Sequence, residues 1–270
     1  MDSTQPQAQS GQLNLGLKIL SGLAFIAGLG IGLLALFASL GVWFGLWEFG
    51  QGFSLLRTAN GYADVIAIFA LISTVAILAA SKFFNTGSVT KLCSAALIGT
   101  IAAGLAYYIP ESFRAPEGVS YPPIHDVSTD TVNPLQFVDV IPLRVDAANT
   151  MVYGGTDDMT PSKLAQLQTE AYPDLVAHYY DLSEQEVFAK ALQAVNQLGW
   201  NLVAQVPDQG RIEATATTFW FRFKDDVVIK IHREGDQTVV NARSLSRVGR
   251  GDVGANAIRL RAFFELMESS

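Results

Sequence analysis

The sequence predicts three N-terminal transmembrane helices followed by an α+β domain, in which a four-stranded antiparallel sheet carries two helices packed on one face. Three observations predict it. Residues 17–109 are mostly apolar, whereas the rest has ordinary globular composition. Residues 183–198 repeat apolar side chains at helical spacing. After them come four segments of period two joined by short polar turns, and then a second helical segment.

The N-terminal residues 1–16 are polar and are expected to be disordered. Three apolar stretches follow, Leu17–Trp47, Tyr62–Ala80 and Leu92–Ile109, each near or above the roughly 20 residues that span a bilayer. The first is too long for the apolar core of a cleaved signal peptide. Gly28 and Gly32, and Gly41 and Gly45, have the spacing that lets helices approach closely, although glycine is also simply common in membrane helices. With three spans, Lys18, Lys82 and Lys91 fall on one side and Arg57 and Arg114 on the other. The excess of basic residues places the N-terminus in the cytoplasm and the C-terminal domain outside it, in the periplasm if the cell is bacterial.

Residues 110–160 form a proline-rich arm. Seven prolines between 110 and 161 argue against helix, yet Ile124, Phe137, Val138, Val140, Ile141 and Leu143 need burial. An ordered arm packed along the domain is expected, with a short strand at 137–143. The His125, Asp126 and Asp130 group could bind a metal, or form side-chain-bonded turns.

The α+β domain is expected over 161–270. Ser183 and Glu186 make a capping box at the start of its first helix, which Gly199 closes. The strands are expected at Trp200–Val206, Arg211–Trp220, about 227–232 and Thr238–Val248. Asp252 is a good N-cap for the last helix, whose apolar stripe is Val253, Ala257, Leu260, Phe264 and Met267. Alternation turns Ile212, Ala214, Val227, Ile229, Ile231, Val240, Ala242, Ser244 and Ser246 towards the helices. The other face then carries Glu213, Thr215, Asp226, Lys230, His232, Asn241, Arg243 and Arg247.

Charge is uneven. The chain has a formal net charge of -7, and residues 116–198 hold 3 basic and 12 acidic residues against 10 and 9 in 199–270. A polyanionic partner such as nucleic acid is therefore not expected. Residues 243–263 nevertheless hold five arginines, at 243, 247, 250, 259 and 261, and Asp252 as their one acid. Arg243, Arg247 and Arg250 beside a glycine-rich turn could bind an anion at the start of the last helix. Asp225, Asp226, Asp252 and Glu213 could instead pair with these arginines and define the fold, with Asn256 helping to order the turn. Arg259 and Arg261 lie off the apolar stripe and are expected to be solvated.

The blocks "PPIHDVSTD", "YPDL", "GRIEATATTFWFRFKDDVVIKI" and "RSLSRVGRGDVGANAIRLRAF" resemble the family catalogued as domain of unknown function 1499, from about Tyr121 to Leu266. The resemblance implies no activity. It maps the family's recurring polar residues onto His125, Asp126, Asp130, Glu213, Thr215, Asp225, Asp226, Arg243, Ser246, Arg247, Asp252, Asn256 and Arg259.

The functional expectation is an integral membrane protein presenting an extracytoplasmic binding or scaffolding domain. Its partners would be the lipid bilayer and a small anion, a lipid or a protein. The alternative is a membrane-tethered, hydrolase-like enzyme on the polar sheet face, with Glu213 and His232 as an acid–base pair. No catalytic, phosphate-binding or dinucleotide motif is present to support it. No metal or cofactor is expected, since the chain has one cysteine and three scattered histidines.

Overall fold

The computed structural model describes residues 5–84 and 88–269, with side chains from Gln12 onward. The chain divides into two compact units, Met1–Arg114 and Ala115–Ser270.

The first unit is three helices, α1 (Gln5–Trp43), α2 (Phe49–Phe84) and α3 (Thr90–Glu111). Each is long and apolar enough to cross a membrane, α1 from Gln12 onward. Helix α1 starts at Gln5, ahead of the expected Leu17, and residues 1–4 lie outside the described residues. Glycine sets the α1–α3 approach. A Cβ on Gly28 would lie 2.1 Å from the Gly99 carbonyl oxygen, and one on Gly99 would lie 2.2 Å from that of Ala24. Polar side chains add bonds between the helices, with Ser21 Oγ donating to the Leu92 carbonyl and Asn60 Nδ2 to that of Tyr107. Helix α1 stops at Trp43 because the chain reverses. The Trp47 ring then lies against Gly41, and its indole N–H donates to the Ala38 carbonyl.

The second unit is built on β1 (Asp126–Ser128), α4 (Pro161–Ala171), β2 (His178–Tyr180), α5 (Glu184–Gln197), β3 (Asn201–Val206), β4 (Arg211–Thr217), β5 (Lys224–Glu234), β6 (Gln237–Ser246) and α6 (Ala255–Ser269). The sheet has six strands, not four. Strands β6, β5, β4 and β3 form the expected antiparallel meander. Two short strands from outside it then share the free edge of β6, β1 opposite 243–245 and β2 opposite 238–240. Three residues are too few for alternation to be visible, which is why the sequence hides them. The strand expected at 137–143 is instead a 3-10 turn at Ile141–Arg144, where Pro142 cannot donate to a ladder.

Edge protection explains the additions. An open edge is a row of unpaired amides and carbonyls. Between β1 and β2, the Thr129 amide donates to the Ala242 carbonyl, and its hydroxyl accepts from the Ala242 amide. Buried Gln168 of α4 imitates a further strand for one residue, accepting from the Ser128 amide and donating to its carbonyl.

The expected inward residues do form the main core. Ile212, Ala214, Val227, Ile229, Ile231, Val240 and Ala242 pack with Val187, Phe188, Ala191 and Val195 of α5 and Ala257, Leu260, Phe263, Phe264 and Met267 of α6. Both halves of the Ser183–Glu186 capping box are present. Val253 does not belong to the α6 stripe. It lies ahead of the helix at φ 53° and is exposed. Strand β4 ends at Thr217, three residues before the expected Trp220, and β6 ends at Ser246 rather than Val248.

Candidate functional site

The polar sheet face is covered around Glu213, Asp226 and Arg243, whereas Lys230, His232 and Asn241 on it stay half-exposed. Alternation does place Glu213, Thr215, Asp226, Arg243 and Arg247 together on the face away from α5 and α6, but residues 129–153 of the arm lie across it. Phe137 and Val140 of the arm, with Leu135 and Met151, pack on Val228 of β5 and Leu245 of β6. Around this apolar patch stand three charged clusters.

Arg243 is fully buried. Its Nε and Nη2 donate to the two oxygens of Asp126 at 2.9 and 2.7 Å. Nη1 and Nη2 also donate to the carbonyls of Leu135 and Met151, 2.6 and 2.8 Å away. The rings of Phe137 and Tyr153 flank the guanidinium at 5.2 and 5.5 Å. Burial together with the Asp126 charge pushes the Tyr153 hydroxyl well above the usual tyrosine range.

Asp226, with no exposed surface, gathers two arginines. Arg247 binds it through Nε and Nη2 at 2.9 and 2.8 Å, and Arg144 of the arm through Nη1 at 2.5 Å. Thr215 adds its hydroxyl at 2.7 Å. Desolvation lowers the pKa of Arg144 from its ordinary value despite the neighbouring Asp226. Arg144 was not among the expected site residues, and its signal in the sequence is a lone cation inside the apolar run "VIPLRV".

Glu213 is also fully buried. Three successive arm amides, Val138, Asp139 and Val140, donate to its carboxylate at 2.8–2.9 Å. Arg211 bridges it to Asp139. Protein backbone has taken the carboxylate as an anion ligand.

On the helix side, Asp225 pairs with Arg259 at 2.5 Å, and Asn256 ties Ser244, Ser246 and the His125 carbonyl together. Arg259 is therefore not solvated as expected, because Asp225 faces α6. Arg261 is the more exposed of the two and pairs with Asp174. Asp252 accepts from the amides of Gly254 and Asn256, which fills the start of α6, and desolvation raises its pKa.

The expected anion group is thus divided. Arg243 and Arg247 bind different carboxylates in different clusters, and Arg250 lies exposed in the turn before α6. Glu213 and His232 are also apart. Glu213 is opposite Val228, and His232 is four residues further along β5, roughly 13 Å at strand rise. Lys230 reaches the Gln209 carbonyl instead, and Asn241 accepts from the Thr129 hydroxyl at 2.8 Å. Asp130 holds a local turn by accepting from the amides of Val132 and Asn133. Among the described residues, no group of three His, Cys, Asp or Glu side chains is placed to hold a metal ion.

What stays open is the rim where the chain enters the second unit. Val119, Tyr121, Pro122, Pro123, Gly251 and Val253 line a shallow cleft there of about 390 Å³. His125 is beside it, its Nδ1 3.2 Å from the Arg250 carbonyl. The cleft offers apolar rings, backbone and the hydroxyls of Ser120 and Tyr121.

A search of curated proteins gave no match to the chain. A family model does match, over residues 126–267, and its description is Protein of unknown function (DUF1499). The match starts at β1, ends inside α6, and takes in every charged cluster described above. The chain, more than half of it covered by this match, belongs to the DUF1499 family.

Proposed function

We propose that the protein is a membrane-anchored binding or scaffolding module, whose second unit is presented outside the cytoplasm as a rigid platform. The observation that carries this reading is the covering of the polar sheet face. A hydrolase-like centre on that face needs a carboxylate or imidazole that substrate can reach. Asp126, Asp226 and Glu213 are buried and bound to arginines or arm amides instead. Such directional bonds hold one geometry, as a docking platform requires. The side of the membrane is inferred from Lys18, Lys82 and Lys91 against Arg57 and Arg114.

Cysteine labelling in intact cells tests the topology. In a Cys93→Ala background, Asp236→Cys at the exposed β5–β6 turn should react with an impermeant maleimide before lysis. Reaction only after lysis would reverse the orientation. Photo-crosslinkers at exposed Tyr179 and Val132 test the platform. Each should give one discrete adduct of constant mass in cells, and no adduct at any exposed position would remove the scaffold reading.

A further inference from the structure

The loops at the two ends of the sheet differ in chemistry. At one end lie the β4–β5 loop, the turn before α6 and the start of the unit itself. Hydrogen bonds place them side by side. The Ser246 amide donates to the His125 carbonyl, Asp252 to Ile124, and Arg247 to Lys224. The arm's 3-10 turn joins the same end, since Arg247 Nη1 donates to the Leu143 carbonyl and the Asn149 amide to that of Arg247.

This end is apolar and basic. Val145 is 84 % exposed, Phe219 66 %, Val253 54 % and Leu143 50 %. Phe219 meets the half-buried Trp220 edge-to-face at 5.2 Å. Arg222, Lys224 and Arg250 are exposed around them, against the exposed acids Glu117 and Asp146. The opposite end is acidic, with Asp181, Glu184, Glu186, Asp208, Glu234 and Asp236 exposed against the exposed cation Arg233. Single exposed apolar residues are ordinary, but a group of them ringed by cations on one end is not.

Covalent geometry selects what meets that end. Helix α3, apolar enough to cross a membrane, ends at Glu111, and β1 begins at Asp126. The 14 residues between reach at most about 50 Å when extended. They enter the unit at its apolar, basic end. The linker therefore limits that end to about 50 Å from the end of α3.

We propose that this end rests on the bilayer. Phe219, Trp220, Leu143 and Val145 sit at headgroup depth, and Arg222, Lys224 and Arg250 contact anionic headgroups. Aromatic rings favour this interfacial layer, and cations near it gain from anionic lipid. The acidic end is then directed into water. The inference draws on the spans and the second unit alone, and holds for either side of the membrane.

Site-directed spin labelling tests it on the full chain. The Cys93→Ala protein, with a nitroxide at Phe219→Cys, Val145→Cys or Asp236→Cys, is reconstituted into phosphatidylcholine–phosphatidylglycerol vesicles. Oxygen concentrates in hydrocarbon, whereas a hydrophilic nickel chelate is excluded from it. The oxygen-to-nickel accessibility ratio at 219 and 145 is expected to be several-fold above that at 236. Equal ratios at all three positions would overturn the proposal. So would protection at 219 with spin–spin broadening that disappears on dilution with unlabelled protein, which would mean a second copy covers the end. Arg222→Glu/Lys224→Glu/Arg250→Glu should lower the ratio at 145 towards that at 236, while unchanged mobility at 236 reports intact folding. An unchanged ratio at 145 would overturn the role of the cations.

Discussion

The Arg243–Asp126 pair allows a double-mutant test of how the arm is held. Asp126→Leu leaves a guanidinium with no exposed surface and no countercharge, and breaking a buried pair in this way costs about 3–5 kcal/mol. Arg243→Met has a similar cost from the stranded carboxylate. It also strips the Leu135 and Met151 carbonyls of their donor. The double variant has no buried charge left at this site, but those two carbonyls stay unsatisfied at about 1–3 kcal/mol each. Counting about 4 kcal/mol for each stranded charge and about 4 for the two carbonyls, Asp126→Leu should cost about 4 and Arg243→Met about 8, whereas the double should lose only about 4, a coupling of about 8 kcal/mol. Losses of this size are a large share of the roughly 5–15 kcal/mol that holds a domain folded. Denaturant unfolding of the full chain in detergent, followed by near-ultraviolet circular dichroism, measures the cycle. Tryptic cleavage after Arg144, buried when the arm is docked, reports the arm directly. A double variant as stable and as trypsin-resistant as the parent would show that the arm carbonyls do not depend on Arg243. Strict additivity would show that the pair is not coupled.

Three further outcomes follow from other parts of the structure. Glu213→Gln gives up oxygen acceptors that serve three arm amides, so stability should fall by about 2 kcal/mol or more, and hydrogen exchange at 138–140 should quicken. Unchanged exchange there would refute the anchoring role. Gly99→Val puts a side chain where even a Cβ would lie 2.2 Å from the Ala24 carbonyl oxygen, so the first unit should lose thermal and detergent resistance, whereas Gly104→Val, with open space around it, should not. Equal behaviour of the two would count against close α1–α3 packing. His178 stacks on Phe264 at 3.8 Å, and burial lowers its pKa while Glu268 at 3.3 Å opposes the shift. Because the folded value lies below the unfolded one, the unfolded chain binds more protons in acid. Stability should be intact above about pH 6.5 and decline as pH falls through the folded pKa. His178→Gln should flatten that slope, and an unaltered slope would remove His178 as its cause.

Periodicity was a sound guide where an element was long enough to show one. The four meander strands, α5 and α6, and the inward set from Ile212 to Ala242 were all legible because each buries one face against apolar neighbours. The capping box was legible because it is local. Strands β1 and β2 were not, since three residues carry no period and their partner on β6 is distant in sequence. Helix α4 was missed because only Leu164 and Gln168 are buried in it, and Gln168 serves by imitating a strand edge. For the candidate site, alternation correctly gathered Glu213, Asp226, Arg243 and Arg247 on one face. It could not show that an irregular arm covers that face. Phe137 and Val140 were the hint, since apolar residues in a proline-rich segment need something to cover.

The covering segment accounts for the buried charges of Asp126, Glu213, Asp226 and Arg243 without any appeal to chemistry on a substrate. Residues 129–153 have no regular structure beyond one 3-10 turn, so no ladder or helix fixes their register. Their apolar contacts, chiefly Phe137 and Val140 on Val228 and Leu245, are non-directional and would tolerate sliding. Position must come from groups that accept one geometry. Arg243 holds the carbonyls of 135 and 151, Glu213 the amides of 138–140, and Asp226 the guanidinium of Arg144. These anchors are spread along the whole segment, and each is a charged group on the sheet bound to a specific arm atom. Buried pairs of this kind add little net stability relative to apolar packing. Their value here is that a one-residue slip of the arm would leave several buried charges and amides unpaired at once, so a single docked register remains.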